Sequence, residues 1–280
     1  MRFRYVVALM VLVGIFFSCS KDKPATVPPI VQGPNQPPVV PDSIFLKDVV
    51  IPRLPSPYYH FEFDPTGKII KYSFASGLTI YDVVYSGGRI SEIDNNTLAN
   101  KDKLLYFYND NGQVNNIKYI NKTGVFFRQC FFTYDSGRVK KMEWELNING
   151  GFVAERILSF AYYPDGNLLE MTDQRHKVQA QVEATFTDRF EQYDNKTNVD
   201  GFSVIHTDFF DHVLLLPGIR FQKNNPAKVI HSGDGVNYTV DYTYTYNEKN
   251  FPLHQSGDFV YTNGTQIGQH VNIGADYSYY

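Results

Sequence analysis

The sequence predicts an all-β chain. The expectation is a large, twisted, curled antiparallel sheet of successive β-hairpins, free to close partly on itself, with one short helix near residues 203–214. Three observations carry it. A segment of about fifteen residues recurs five times around a glycine, at Gly67, Gly88, Gly112, Gly137 and Gly166. Each glycine is preceded by an alternating, aromatic-rich run: Phe61/Phe63, Tyr81/Val83/Tyr85, Tyr106/Tyr108, Phe132/Tyr134 and Phe160/Tyr162. Each is followed by apolar residues at its second and fifth places: Ile69/Tyr72, Ile90/Ile93, Val114/Ile117, Val139/Met142 and Leu168/Met171.

The physical reading is the same in each copy. Alternation of aromatic and β-branched residues marks half-buried strands. Asp, Asn, Pro and Gly between them supply turns, with glycine taking the positive φ of a tight hairpin. The three-residue step after the glycine breaks strict alternation, so a bulge is expected there, keeping both apolar side chains on one face. Weaker copies follow at 221–230 and 244–253, with Asn225 and Asn250 in the glycine place. Residues 238–247 alternate without error, and residues 271–279 form a last alternating strand. Only residues 201–216 have an apolar spacing that allows a short helix.

Residues 134–139 (YDSGRV) resemble the Tyr-Asp repeat of the YD/RHS family, which winds hairpins into a β shell; the resemblance extends more loosely over residues 58–172. It implies a repeat-built β architecture and no enzymatic residues.

The N-terminus carries an address. Arg2 and Arg4 precede an uncharged apolar run at residues 5–17 (YVVALMVLVGIFF). At thirteen residues this is too short to span a bilayer, which needs about 20, and suits a signal-peptide core. Ser18 and Cys19 follow at once, and this boundary resembles the lipobox of bacterial lipoproteins in the looser form found in Bacteroidota. The resemblance implies cleavage after residue 18 and lipidation of Cys19. Acyl chains anchor because each buried methylene contributes about 0.8 kcal/mol. Residues 24–41 hold seven prolines and favour extended polyproline II. At about 3.1 Å per residue the stretch after Cys19 would span roughly 70 Å. Asp42-Ser43-Ile44 resembles the O-glycosylation acceptor of Bacteroidota. The expected organisation is therefore a signal peptide at 1–18, a lipidated tether at 19–43 and a single β domain at 44–280. As a whole the chain resembles uncharacterised repeat-containing β lipoproteins of Bacteroidota, which implies lipid anchoring at the outer membrane.

Composition narrows function. The formal charge is −3, and removing the two leader arginines makes it more negative. With no basic run, nucleic acid is not an expected partner. Cys130 is the one other cysteine, so no internal disulfide is expected and stability must come from a core.

Chemistry-bearing residues are few. His206, Asp208, Asp211 and His212 are the densest group of potential metal ligands, but the histidines are six apart and fall on different helix faces. No metal or cofactor is expected. Glu143 and Glu145 flank Trp144 on a strand, placing both carboxylates on one face roughly 7 Å apart, a separation that suits an inverting glycosidase. Trp144 would have to turn to their side to stack a sugar. Cys130 reads as a core residue. Tyr242, Tyr244, Tyr277, Tyr279 and Tyr280 read as core filling or, more sharply, as a ligand surface. The expected function is a non-catalytic, membrane-anchored binding or scaffold module for a glycan or an envelope protein. The alternatives are an amphiphile carrier resembling half-barrel lipoprotein chaperones, and a glycoside hydrolase using Glu143 and Glu145.

Overall fold

The computed structural model describes residues 44–97, 101–201, 205 and 214–280. Sixteen strands run antiparallel in chain order: β1 (Leu46–Val50), β2 (Tyr59–Phe63), β3 (Ile69–Phe74), β4 (Thr79–Ser86), β5 (Arg89–Asn95), β6 (Lys103–Tyr108), β7 (Val114–Ile120), β8 (Phe126–Asp135), β9 (Arg138–Ile148), β10 (Gly151–Tyr162), β11 (Leu168–Arg175), β12 (Ala184–Tyr193), β13 (Pro226–Gly233), β14 (Tyr238–Tyr246), β15 (Pro252–Tyr261) and β16 (His270–Tyr279). Each pairs with its sequence neighbours, and β1 pairs with both β2 and β16, so the sheet closes completely into a barrel. Asp48 stitches this seam. Its carboxylate lies 2.7 Å from His60 Nδ1 on β2 and accepts the Ser278 hydroxyl of β16 at 3.0 Å.

The repeat is present as expected. All five glycines have positive φ, between 78° and 100°, and Asn250 takes the same region at 64°. The register shifts opposite the three-residue step in every copy: between Glu62 and Phe63, Val84 and Tyr85, Phe107 and Tyr108, Thr133 and Tyr134, Ala161 and Tyr162, and Thr245 and Tyr246. Each bulge turns both apolar residues inward. Val114 and Ile117 are wholly buried, as are Ile93 and Met142.

A ladder of tyrosine hydroxyls joins successive repeats. Tyr85 donates to the Ile69 carbonyl, Tyr108 to Ile90, Tyr134 to Val114, Tyr162 to Val139 and Tyr193 to Leu168, at 2.6–3.0 Å. Every acceptor is the second residue after a repeat glycine. The first residue after the glycine adds a cation over the next repeat's ring: Lys68 over Tyr85, Arg89 over Tyr108 and Arg138 over Tyr162, 5.2–5.5 Å from the centroid. The repeat thus carries its own instruction for stacking. Tyr134→Phe keeps the ring but removes one such bond, and is expected to cost about 1 kcal/mol. A urea melt of the Phe variant that overlays the wild type would refute the ladder as a stabilising element.

One copy departs from the pattern. Asn225, placed by sequence at a hairpin turn, does not take positive φ there; it is buried and bonds Asp194. Residues 194–225 replace the tight turn between β12 and β13, and their described part enters the barrel. Val199, Ile205, Leu214, Leu215, Leu216, Ile219 and Phe221 join the same buried core as the strands. Phe221 packs on Phe160 at 4.6 Å between centroids. The helix expected near 203–214 lies almost wholly outside the described residues.

Candidate functional site

The two faces of the barrel wall differ in chemistry. The inner face is apolar and aromatic. Tyr59, Phe61, Tyr72, Tyr81, Tyr119 and Phe259 are all at most 1% exposed. A sixteen-strand barrel can be wide enough for an aqueous channel; here large side chains of the strands and described residues of the 194–225 segment pack into one buried core. The buried arginines inside are paired. Arg156, 0% exposed, holds both oxygens of Asp173 at 2.8 and 3.0 Å, donates to the Ile205 carbonyl and lies 5.3 Å from the Trp144 ring centroid. Arg128 grips both oxygens of Glu155. His231, its Nδ1 2.7 Å from Asp188, stacks on Tyr238, which stacks on Phe259.

The outer face is charged. Ion pairs cross it between neighbouring strands and along them, among them Lys71–Asp82, Lys103–Asp94, Arg189–Glu191 and Lys228–Asp241. A membrane barrel has the opposite polarity, with an apolar band outside and a polar lumen. Among the described residues no helix is long and apolar enough to cross a membrane.

The charged wall is interrupted on β6–β10. Phe107 and Phe131 point outward, 41% and 38% exposed. Both pair in register with Asn116 of β7, and Phe131 pairs with Glu143, which pairs with Ile157 of β10. Asn116, in register with both, donates its side-chain N–H to the Cys130 carbonyl at 3.1 Å. Lys118 sits 5.0 Å from the Phe107 ring and 5.2 Å from the Phe126 ring, and Phe126 packs on Phe152 at 4.9 Å.

The sequence-predicted residues are distributed as follows. Cys19, Asp42, Ser43, His206, Asp208, Asp211 and His212 lie outside the described residues. Glu143 and Glu145 share the outer face, as expected, Glu143 paired with Lys141 at 2.9 Å and Glu145 accepting from the Gln129 amide at 2.6 Å. Trp144 points the other way, 2% exposed, its ring N–H donating to the Tyr119 hydroxyl. The aromatic beside the two acids is Phe131. Cys130 is wholly buried, and burial pushes its thiol well above the ordinary range. Tyr277 belongs to the core and Tyr242 and Tyr279 pack against it; Tyr244 is half-buried, its hydroxyl donating to the Pro226 carbonyl at 3.0 Å; Tyr280 is 58% exposed, its hydroxyl donating to the Phe61 carbonyl. Among the described residues no three His, Cys, Asp or Glu gather around a point that could hold a metal.

A surface cleft of about 260 Å³ beside the seam is lined by Asp48, Val50, Ser56, Pro57, Asp276 and Ser278. Its carboxylates are already engaged, Asp48 as above and Asp276 by His254 Nδ1 at 2.6 Å. Sequence reasoning missed Phe107 and Phe131. Each adjoins inward-facing aromatics, Tyr106/Tyr108 and Phe132, so the outward ring was hidden in an aromatic run.

By architecture the described residues form a closed, sixteen-strand antiparallel β-barrel with a largely apolar buried core. Its sequence matches no protein-family profile and no curated protein. Among solved structures, a porin-like protein from Bacteroides uniformis ATCC 8492 has a TM-score of 0.54 at 15% identity, over 79% of this chain and 89% of that one. A porin-like protein from Bacteroides vulgatus ATCC 8482 has a TM-score of 0.56 at 16% identity, over 85% and 99%. At that identity the likeness is one of fold. A chain of the Photorhabdus luminescens Tc holotoxin pore matches 74% of this chain and 13% of its own at 12% identity, with a TM-score of 0.33, too low to carry an argument.

Proposed function

We propose that this is an exported lipoprotein whose barrel stands in water beside the outer membrane, held by lipid on Cys19, and acts as a non-catalytic binding or scaffold module of the cell envelope. The observation that carries this reading is the polarity of the wall. Charged side chains such as Asp82, Lys103 and Glu143 lie on the outside, and a lysine or arginine facing hydrocarbon at the bilayer midplane costs about 2–4 kcal/mol in a membrane barrel, an acid somewhat less. Membrane attachment then falls to the N-terminal cysteine, with the proline-rich stretch as spacer. The porin-like description of the two Bacteroides proteins agrees with an envelope setting, while the wall argues against a pore. A carrier needs an open concave face, whereas the described apolar residues of the 194–225 segment pack into the same buried core as the strands.

Cell fractionation tests the anchor. Wild-type protein is expected in the membrane fraction and Cys19→Ala in the aqueous one, while the purified protein gives no conductance steps in planar bilayers. Retention of the alanine variant in carbonate-washed membranes, or stepwise conductance, would overturn the reading.

A further inference from the structure

We infer that the outer wall of β6–β10 is a binding site for an extended, neutral, β-linked glycan chain. This rests on the binding-module reading and names its ligand class. Phe107, Asn116, Phe131, Glu143 and Ile157 form one row across five strands of the convex wall, each in register with the next. With strands about 4.8 Å apart, the apolar members recur every two strands, about 9.5 Å. That is the spacing of alternate sugars along an extended β-linked chain, whose same-facing pyranose rings present their apolar C–H faces at that repeat. An α-linked chain that coils would leave the row after one contact.

The chemistry between the rings suits hydroxyl groups. Glu143 lies between Phe131 and Ile157, and Gln129, Glu145 and Lys118 flank the row on the same face. These groups accept and donate in the plane of a sugar lying on the rings. A protein partner is a poorer match, because a protein interface has a contiguous, dry apolar core, and here each ring is separated from the next by a polar side chain. A charged polysaccharide is also a poorer match, since Glu143 and Glu145 repel polyanions and the net charge of the chain is negative. The wall is preorganised. Lys118 holds the Phe107 and Phe126 rings from between them, and Asn116 is fixed to the backbone, so little side-chain entropy is lost on binding.

Isothermal titration of the purified mature protein with a β-1,4-linked neutral hexasaccharide, and with an α-1,4-linked one, tests the inference. Binding is expected with the β-linked chain alone. Phe107→Ala and Phe131→Ala are each expected to weaken it about tenfold through lost apolar burial, while Leu253→Ala, an exposed apolar residue on β15, leaves it unchanged. Phe131→Trp, with a larger stacking face, is expected to tighten it. Absence of binding to the β-linked chain, or equal affinity in the Phe107→Ala/Phe131→Ala double variant, overturns the site. So does a wild-type dimer that the double variant disperses in sedimentation, which would give the wall to a second copy. A negative sugar result leaves the tethered-barrel reading standing; only the fractionation and conductance results remove that.

Discussion

Replacing Asp173 with alanine is expected to cost about 3–5 kcal/mol, the range for breaking a buried ion pair from one side. The carboxylate is 3% exposed and bonds two guanidinium groups, Arg156 and Arg175. Arg175 lies nearer solvent and can find water. Arg156 cannot: it is 0% exposed, keeps its charge at any ordinary pH, and would lose the carboxylate that binds both its Nε and its Nη2. The Arg156→Met/Asp173→Leu double variant should recover much of the loss, because well-packed apolar residues can replace a buried pair without penalty. Chemical denaturation of the three proteins decides it; a single variant within 1 kcal/mol of wild type would mean that Arg156 reaches water. The pair also sets an acid limit. Burial pushes the Asp173 carboxyl up, but Arg156 and Arg175 outweigh it and hold it below its usual 3.8. Stability from the pair is therefore complete above that value and is lost as pH falls through the lower folded value.

Asp200 is expected to behave in the opposite sense. It lies in the segment between β12 and β13, and the Tyr277 hydroxyl of β16 donates to it at 2.9 Å. Its charge acts on the Tyr242, Tyr244 and Tyr279 hydroxyls, and among the described residues no cation is among the causes of its shift. Burial pushes its carboxyl up to about 6, against the pull of the Tyr277 and Asn198 bonds. An acid raised in the folded state contributes stability that is full below about 3.8 and is lost as pH rises through about 6. Between pH 4 and pH 8 that loss is at most about 3 kcal/mol. Asp200→Asn keeps an acceptor for Tyr277 and cannot ionise. It should match wild type at pH 4 and exceed it at pH 8 by up to that amount. Parallel stability curves for the two proteins across this range would show that Asp200 reaches water in the folded state.

The sequence made one half of the candidate site visible and hid the other. Glu143 and Glu145 could be placed on a common face because strand geometry alternates strictly between bulges. Their aromatic neighbour could not, since Trp144 is adjacent in sequence and opposite in space, whereas Phe131 is remote in sequence and directly across in register. Register between strands is a tertiary property. The same limit explains Asn225, which looks like a turn residue locally but anchors the start of β13 to Asp194 across the inserted segment.

What the sequence determined by itself is the hairpin: turn residues with positive φ, the bulge after each glycine, and the inward pair at its second and fifth places. All of these are set by contacts within about fifteen residues, where local sterics and side-chain period decide the outcome. Only the tertiary structure decided that the sheet closes, that described residues of the 194–225 segment join its core, and that Arg156 meets Asp173 there. Closure joins Leu46 to Tyr279, and such a contact depends on the summed twist of every strand between them. No single segment of the chain encodes that sum.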